Sequence, residues 1–363
     1  MISRNPSHWI EAMNIGIGRL QRVYHKGLAL MLGDRVFDQP MWRRLFGVPL
    51  PVYRPHPYLL YELNPDWRSP CGKSRHNPDG FRGLPIKTDP PSGRTRIVCM
   101  GESSTYCTSI IEDKDTYPAR LEYHLKQAGK SVEVLNAGVG GYTSLENLMR
   151  YHFKIRYLKP NLLIYYFTHN DVHPRKFPSL SPDYREYSQS WYEPHNTGSL
   201  FGWWSRRTAL GKGDIGKLVR RYSEYSGRRK AANTTANPPV AFRENLRALV
   251  RMARADGVQV MMALPNYHSA DEADRGWEQV QNPVWRAVWE HRAVVSEMSR
   301  AEGFQCYDFS KGIPYPADNK QFPSECYQDA AHFNRRGADI AGRLLADELE
   351  GDSWATLFRK ESK

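Results

Sequence analysis

RIVCMGESST, residues 96–105, opens the part of the sequence in which strand patterns and helix patterns alternate. Residues 97–100 form a short apolar run that contains β-branched side chains and ends at Gly101, which is the pattern of a buried strand. The polar residues Glu102 and Ser103 follow directly. In open parallel α/β sheets, ligands bind just beyond the carboxyl ends of the strands. The residues after each predicted strand are therefore candidate site residues.

Further apolar runs downstream have the pattern of strands, and helical patterns separate them. The run at residues 162–167 is apolar throughout, as expected of a strand covered on both faces. Ser144 and Asn334 are placed to cap two of the helices. Strands that alternate with helices predict a parallel sheet with helices on both faces. The predicted strands are residues 97–100, 132–135, 162–167, 258–264 and 304–308, and the predicted helices are residues 117–128, 144–157, 242–255, 284–301 and 334–349.

The chain is predicted to comprise an N-terminal extension (residues 1–95) that wraps the core, an α/β domain (96–350) and a C-terminal tail (351–363). Apolar residues recur at helical spacing over residues 9–32, with basic residues on another side. This pattern favours a helix packed on the body of the protein, and the alternative is a helix lying on a membrane surface. Residues 40–91 are rich in Pro, Tyr and Arg and predict irregular structure with short strands.

Residues 172–239 interrupt the alternation of strands and helices and are predicted to be an insertion. The segment combines Trp191, Trp203 and Trp204 with many Tyr and Arg residues. Because long insertions in compact domains are often functional, we expect a lid or a substrate wall. Aromatic and Arg side chains could alternatively stack on sugars or bases.

The composition sets broad limits on the protein. Of 363 residues, 40% are hydrophobic and 25% are charged, which suffices for a sizeable core. Lys and Arg number 51 against 39 Asp and Glu, a net charge of +12 that suits either an anionic partner or simply a basic surface. The sequence has no run of 18 apolar residues and no pattern of a secretory signal. Five widely spaced cysteines without a Cys-x-x-Cys pair predict reduced thiols, a cytoplasmic location and no metal site.

Four polar segments follow predicted strands and should gather at one edge of the sheet. Ser103 can attack a carbonyl only if a base takes its proton, and His332 is the candidate base. Asp329, three residues earlier, can hold the imidazole in one tautomer. The resulting oxyanion needs hydrogen-bond donors. The Ser103 backbone N–H, the Gly141 backbone N–H and the Asn170 side-chain amide could supply them. The segments are residues 101–105, 136–142, 168–171 and 329–332.

In order and spacing, these segments resemble the conserved blocks of the SGNH/GDSL hydrolases. Gly101-Glu102-Ser103 resembles the block that normally reads Gly-Asp-Ser, Gly141 matches the glycine of the second block, Asn170-Asp171 resembles the end of Gly-x-Asn-Asp, and Asp329-x-x-His332 resembles Asp-x-x-His. The resemblance covers about residues 95–350. It implies a doubly wound, flavodoxin-like, five-stranded parallel sheet of order 2-1-3-4-5, and hydrolysis of esters or thioesters without a metal or other cofactor. Residues 77–83, NPDGFRG, resemble a segment that precedes the first block in many bacterial members.

The sequence departs from the family pattern at two positions. Glu102 replaces the usual Asp, so the carboxylate is retained but lies one methylene further from the backbone. Thr168 replaces the usual glycine of the third block and is expected to narrow the site near Asn170. The Gly-x-Ser-x-Gly elbow of α/β-hydrolases is absent.

These observations lead to a hypothesis of serine-dependent ester hydrolysis through an acyl-enzyme. An O-acetyl or other short acyl ester, carried on a carbohydrate or another small molecule, is the expected substrate. Transfer of an acyl group to or from a sugar would use the same residues. A non-catalytic module that binds an anionic polymer is a third hypothesis, and the sequence contains no recognisable nucleic-acid-binding module. The oligomeric state is not indicated.

Overall fold

A computed structural model of the chain describes residues 52–177, 180–185, 187, 237–266, 283–315 and 322–358. The amphipathic helix predicted at residues 9–32 lies outside the described residues. Most of the predicted insertion, including Trp191, Trp203 and Trp204, lies outside them too.

The described part of the chain begins with an antiparallel hairpin of two short strands, β1 (Tyr53–His56) and β2 (Leu60–Leu63). A separate sheet of five parallel strands follows, in the order β4-β3-β5-β6-β7. When the five strands of this sheet are numbered 1 to 5 along the chain, their order in the sheet is 2-1-3-4-5. The predicted α/β class is confirmed. The strands are β3 (Thr95–Gly101), β4 (Val132–Gly138), β5 (Leu162–Tyr166), β6 (Gln259–Leu264) and β7 (Gln305–Asp308).

Helices cover both faces of the sheet, because alternate residues of each central strand enter opposite cores. In β3, Ile97 and Cys99 point into one core and Val98 and Met100 into the other, and all are fully buried. Helices α2 and α6 contribute to the first core and α3 and α4 to the second, while α5 supplies residues to both. The helices are α1 (Ser103–Tyr106), α2 (Tyr117–Gln127), α3 (Ser144–Phe153), α4 (Val240–Ala255), α5 (Pro283–Glu302) and α6 (Arg335–Leu349). Among them, none is both long enough and apolar enough to cross a membrane.

One of the two predicted helix caps is correct and the other is wrong by one residue. The Asn334 side chain accepts a hydrogen bond from the Gly337 N–H at 3.0 Å, as predicted. Helix α3, however, is capped by Thr143, whose hydroxyl accepts from the Leu145 N–H. Ser144 cannot serve as the cap because its hydroxyl and its N–H both donate to the Asp171 carboxylate.

The first part of the predicted C-terminal tail packs against the domain. Trp354 is 2% exposed and Leu357 is 6% exposed, and both belong to the same core as α2 and α6. Burial of two large apolar side chains contributes on the order of 3–5 kcal/mol, so these residues stabilise the sheet that carries the site.

Candidate active site

Ser103 and His332 are brought together although 229 positions separate them in the sequence. Ser103 is the first residue of α1, directly beyond the carboxyl end of β3, and His332 lies in the loop before α6. The Ser103 Oγ is 2.8 Å from the His332 Nε2. The His332 Nδ1 lies 2.8 Å and 2.9 Å from the two carboxylate oxygens of Asp329. With Nδ1–H donated to the carboxylate, Nε2 is left as an acceptor for the serine proton.

The Asp329 carboxylate is fixed by a tight turn. Its Oδ1 also accepts the backbone N–H groups of Ala331 at 2.9 Å and His332 at 3.0 Å. Burial raises the pKa of Asp329, but the hydrogen bonds from His332 and the Ala331 N–H outweigh it and lower the pKa to about 2. Asp329 therefore remains ionised at neutral pH and can stabilise an imidazolium.

The loop from Gly140 to Tyr142 lies beside Ser103. A Cβ added to Gly140 would lie 3.7 Å from the Ser103 Cβ. Gly141 has a φ of +84°, which L side chains rarely adopt. Asn170, just beyond β5, is buried, and its side-chain amide donates to the Tyr142 carbonyl at 3.0 Å. The structure thus brings all five predicted site residues into one neighbourhood.

A buried hydrogen bond links the two departures from the family pattern. The Glu102 carboxylate is fully buried and accepts the Thr168 backbone N–H at 2.9 Å and the Thr168 hydroxyl. Thr168 was expected to narrow the site near Asn170. In the structure its hydroxyl instead points to the Glu102 carboxylate, so the longer acid at position 102 and the added hydroxyl at position 168 form a hydrogen bond with each other.

Glu102 is a buried acid beside a second buried acid. Burial and the negative charge of Asp171 raise the pKa of Glu102 to about 8. Burial also raises the pKa of Asp171, to about 6, although Asp171 accepts hydrogen bonds from Ser144 and from the Tyr184 hydroxyl. These groups tie the loop after β5 to the start of α3.

The free energy of unfolding should therefore respond to the Glu102→Gln substitution in a pH-dependent way. The folded protein keeps a proton on Glu102 that the unfolded chain releases above its ordinary pKa of 4.5. The contribution of Glu102 to stability is thus complete below that value and is lost as pH rises to about 8. As pH rises from about 5 to about 8, the free energy of unfolding of wild type, measured in urea, should fall by more than about 1 kcal/mol relative to that of Glu102→Gln.

Asp308→Asn is the matched control for this experiment. Burial raises the pKa of Asp308, but the Arg292 guanidinium outweighs it and lowers the pKa, so the carboxylate is ionised in both states across the same pH range and the stability difference should stay constant. A constant difference for Glu102→Gln as well would mean that Glu102 is ionised in the folded protein, contrary to the prediction.

Arg82 anchors the nucleophile loop, a role that no pattern in the sequence predicts. Its buried guanidinium donates to the carbonyls of Tyr106 (2.7 Å), Cys107 (2.8 Å) and Ile110 (2.7 Å), and to the Asp113 carboxylate (2.8 Å). These acceptors lie at the end of α1 and in the segment after it. Arg82 lies in the NPDGFRG segment, whose resemblance to a bacterial family segment marks the stretch but gives its arginine no role.

Ser104, the neighbour of the candidate nucleophile, joins the two halves of the site. It is buried, and its Oγ donates to the Ala331 carbonyl at 2.9 Å. This bond ties the loop of Ser103 to the Asp329–His332 turn. Within the described ranges, no three His, Cys, Asp or Glu side chains are arranged to hold a metal ion. All five cysteines carry free thiols.

A family model described as the GDSL-like lipase/acylhydrolase family matches residues 99–340. The chain belongs to this family. The resemblance drawn from the four polar segments is thereby confirmed, and this GDSL-like protein is a serine esterase. A comparison with curated proteins finds no match.

Solved structures similar to this GDSL-like protein share low sequence identity with it. An acetylxylan esterase from Geobacillus stearothermophilus is 16% identical with a TM-score of 0.43, over 72% of this chain and 96% of its own. A lipase/acylhydrolase from Enterococcus faecalis is 18% identical with a TM-score of 0.41, over 70% and 95%. A GDSL-like lipase from Bacteroides thetaiotaomicron is 16% identical with a TM-score of 0.40, over 70% and 88%.

Proposed function

We propose that Ser103 is the nucleophile of this esterase, that His332 is its general base and that Asp329 orients the imidazole. The observation that carries the proposal is the 2.8 Å contact between Ser103 Oγ and His332 Nε2, with both Asp329 oxygens on the opposite ring nitrogen. A serine hydroxyl becomes an effective nucleophile when a base in this position removes its proton.

The reaction divides into acylation and deacylation. Ser103 Oγ attacks the ester carbonyl while its proton passes to His332 Nε2. The Ser103 N–H, the Gly141 N–H and the Asn170 amide stabilise the oxyanion. Collapse of the tetrahedral intermediate breaks the bond to the alcohol, which takes the proton from His332. His332 then removes a proton from water as the water oxygen attacks the acyl-enzyme. Collapse of this second tetrahedral intermediate breaks the bond between the acyl group and Ser103 Oγ, which takes the proton back from His332 as the acid is released.

The substrate class that we propose is an O-acetyl or other short acyl ester on a carbohydrate. Aromatic rings continue from the loop after β5 into the predicted insertion. The His169 and His173 rings are 5.6 Å apart in an edge-to-face arrangement, and the Tyr187 ring stacks 6.4 Å from His173. Burial, His173 and His332 lower the pKa of His169 to about 4, so it is neutral at pH 7. The partly exposed, neutral ring of His169, which is electrostatically coupled to His332, suits the face of a sugar.

A labelling experiment tests the catalytic assignment. A serine-directed fluorophosphonate should form an adduct at Ser103, located by mass spectrometry, and short p-nitrophenyl esters should be hydrolysed. Ser103→Ala should abolish both. Ser104→Ala is the matched control, because it removes the neighbouring hydroxyl and one buried hydrogen bond but leaves the nucleophile. A wild-type protein with no adduct at Ser103 and no hydrolysis would refute the assignment.

A substrate panel tests the proposed class of ester. Acetylated oligosaccharides should be turned over with a higher kcat/KM than p-nitrophenyl acetate, because the aromatic rings bind the sugar as well as the acyl group. Acetate release with and without a free sugar acceptor separates hydrolysis from transfer. Faster cleavage of long-chain lipid esters than of every acetylated sugar would contradict the carbohydrate assignment.

A further inference from the structure

The β1–β2 hairpin, which precedes the sheet, places tyrosine hydroxyls against the Gly140–Gly141 loop. The Tyr61 hydroxyl donates to the Gly140 carbonyl at 2.8 Å. A Cβ added to Gly141 would lie 2.3 Å from the Tyr61 Oη, and one added to Gly140 would lie 2.6 Å from the Tyr53 Oη. The hairpin therefore contacts the loop on both glycines.

The Gly140 carbonyl and the Gly141 N–H belong to one peptide unit and point in opposite directions across its plane. This peptide is the central one of a turn in which the Tyr142 N–H approaches the Val139 carbonyl at 3.4 Å. The φ of +84° at Gly141, the third residue of the turn, is typical of a type II turn. In the alternative type I turn the central peptide is flipped, so its carbonyl and its N–H exchange sides.

We propose that Tyr61 is a positioning residue that locks this peptide in the orientation in which the Gly141 N–H is available to the oxyanion. The inference deepens the proposed function and rests on the assignment of Gly141 as an oxyanion donor. A flipped peptide would remove that donor and place the Gly140 carbonyl oxygen where the Gly141 N–H had been. A hydrogen bond to the Gly140 carbonyl also polarises the peptide, which strengthens the N–H on its other side.

Contacts around Tyr61 hold its hydroxyl in place. The Tyr142 hydroxyl donates to the Tyr61 carbonyl at 2.5 Å. The ring of Tyr61 lies 5.5 Å from that of Tyr142 and 5.1 Å, edge to face, from that of Tyr53. Burial raises the pKa of Tyr61, so its hydroxyl keeps its proton and remains a donor throughout the neutral range.

The test is Tyr61→Phe, which removes one hydroxyl and keeps the ring. We expect kcat on a p-nitrophenyl ester to fall about tenfold with little change in KM, because the lost hydrogen bond acts only through the orientation of a donor used in the transition state. The Ki of a trifluoromethyl ketone, which forms an oxyanion on serine, should rise by the same factor. The Kd of the product acid should not change. Tyr58→Phe, on the exposed turn of the same hairpin, should match wild type.

A double-mutant cycle with Gly141→Ala adds a second readout. Both substitutions act on one peptide, and Tyr61→Phe also removes the Oη that the added Cβ would meet at 2.3 Å, so the double variant should have a kcat equal to or above that of Gly141→Ala alone. The Ki of the trifluoromethyl ketone and the Kd of the product acid both report on folded molecules only. Their ratio therefore remains informative even if Tyr61→Phe is less stable. Unchanged kcat and Ki in Tyr61→Phe would overturn the positioning role of Tyr61, and so would additive losses of kcat in the double variant. Fluorophosphonate labelling of Ser103 would in that case still uphold the proposed function. No labelling of wild type at Ser103 would overturn both.

Discussion

Ser103→Ala is expected to lower kcat on a p-nitrophenyl ester by roughly 10⁴- to 10⁶-fold. The variant retains the candidate oxyanion donors and the binding surface but has no atom that can form the acyl-enzyme. His332→Ala should cost a similar factor, because the Ser103 hydroxyl would lose the acceptor that lies 2.8 Å away. Since the two residues act as one unit, the double variant should be no slower than the slower single variant.

Measurements of stability distinguish a chemical effect from a structural one in these variants. Both side chains border the site, so their removal should leave the melting temperature close to that of wild type. Ser104→Ala, which breaks a buried hydrogen bond without removing the proposed nucleophile, should lose far less activity. Additive losses in the Ser103→Ala/His332→Ala double variant would show that the two residues do not share a step.

Arg82→Met should lower the free energy of unfolding by about 3–5 kcal/mol, the cost of breaking a buried ion pair by removing one partner. The methionine fills much of the same volume, but it removes one donor from each of three carbonyls and the charged partner from Asp113, which keeps only its hydrogen bonds from Ser74 and Arg75. Arg82→Lys should rescue only part of this loss, because a single ammonium cannot reach acceptors that the planar guanidinium fork spans. Urea unfolding measures both variants.

Arg335→Met is the matched control for the Arg82 variants. Arg335 also pairs with an aspartate, at 3.1 Å from Asp115, but its side chain is 76% exposed. Solvent screens a pair whose cation is this exposed, so it contributes up to about 1 kcal/mol and the control should stay near wild type. Equal losses at the two positions would show that Arg82 does not anchor the loop. A slower fluorophosphonate reaction at Ser103 should accompany the loss at Arg82, because the nucleophile is on α1.

Much of the fold could be predicted because its signals are local. Apolar runs, such as residues 162–167, locate strands by composition alone, and their alternation with helices requires parallel connections. The family resemblance supplied the strand order, which the structure confirms. Ser103, Gly141, Asn170, Asp329 and His332 were found because each lies in a short segment that resembles a conserved block, and the structure places those segments together. Their catalytic roles remain predictions.

The contacts that could not be predicted depend on side chains meeting across long separations in the chain. Tyr61 donates to a carbonyl 79 positions away, and Tyr is common enough in residues 40–91 that no pattern distinguishes this one. The Thr168 hydroxyl reaches Glu102 across 66 positions, so each departure seemed isolated in the sequence. The choice of Thr143 over Ser144 as the helix cap is of the same kind, because Asp171 competes for the serine.

The position of Arg82 and Tyr61 has a practical consequence for anyone who trims this protein for expression or grafts its domain onto another chain. A fragment that begins at residue 95 would keep every strand of the five-stranded sheet. It would nevertheless lose His76, whose ring bonds the Tyr106 hydroxyl at 2.9 Å, together with the arginine and the tyrosine that hold the two loops beside Ser103. The smallest useful fragment therefore starts before Tyr53, well upstream of the sheet itself.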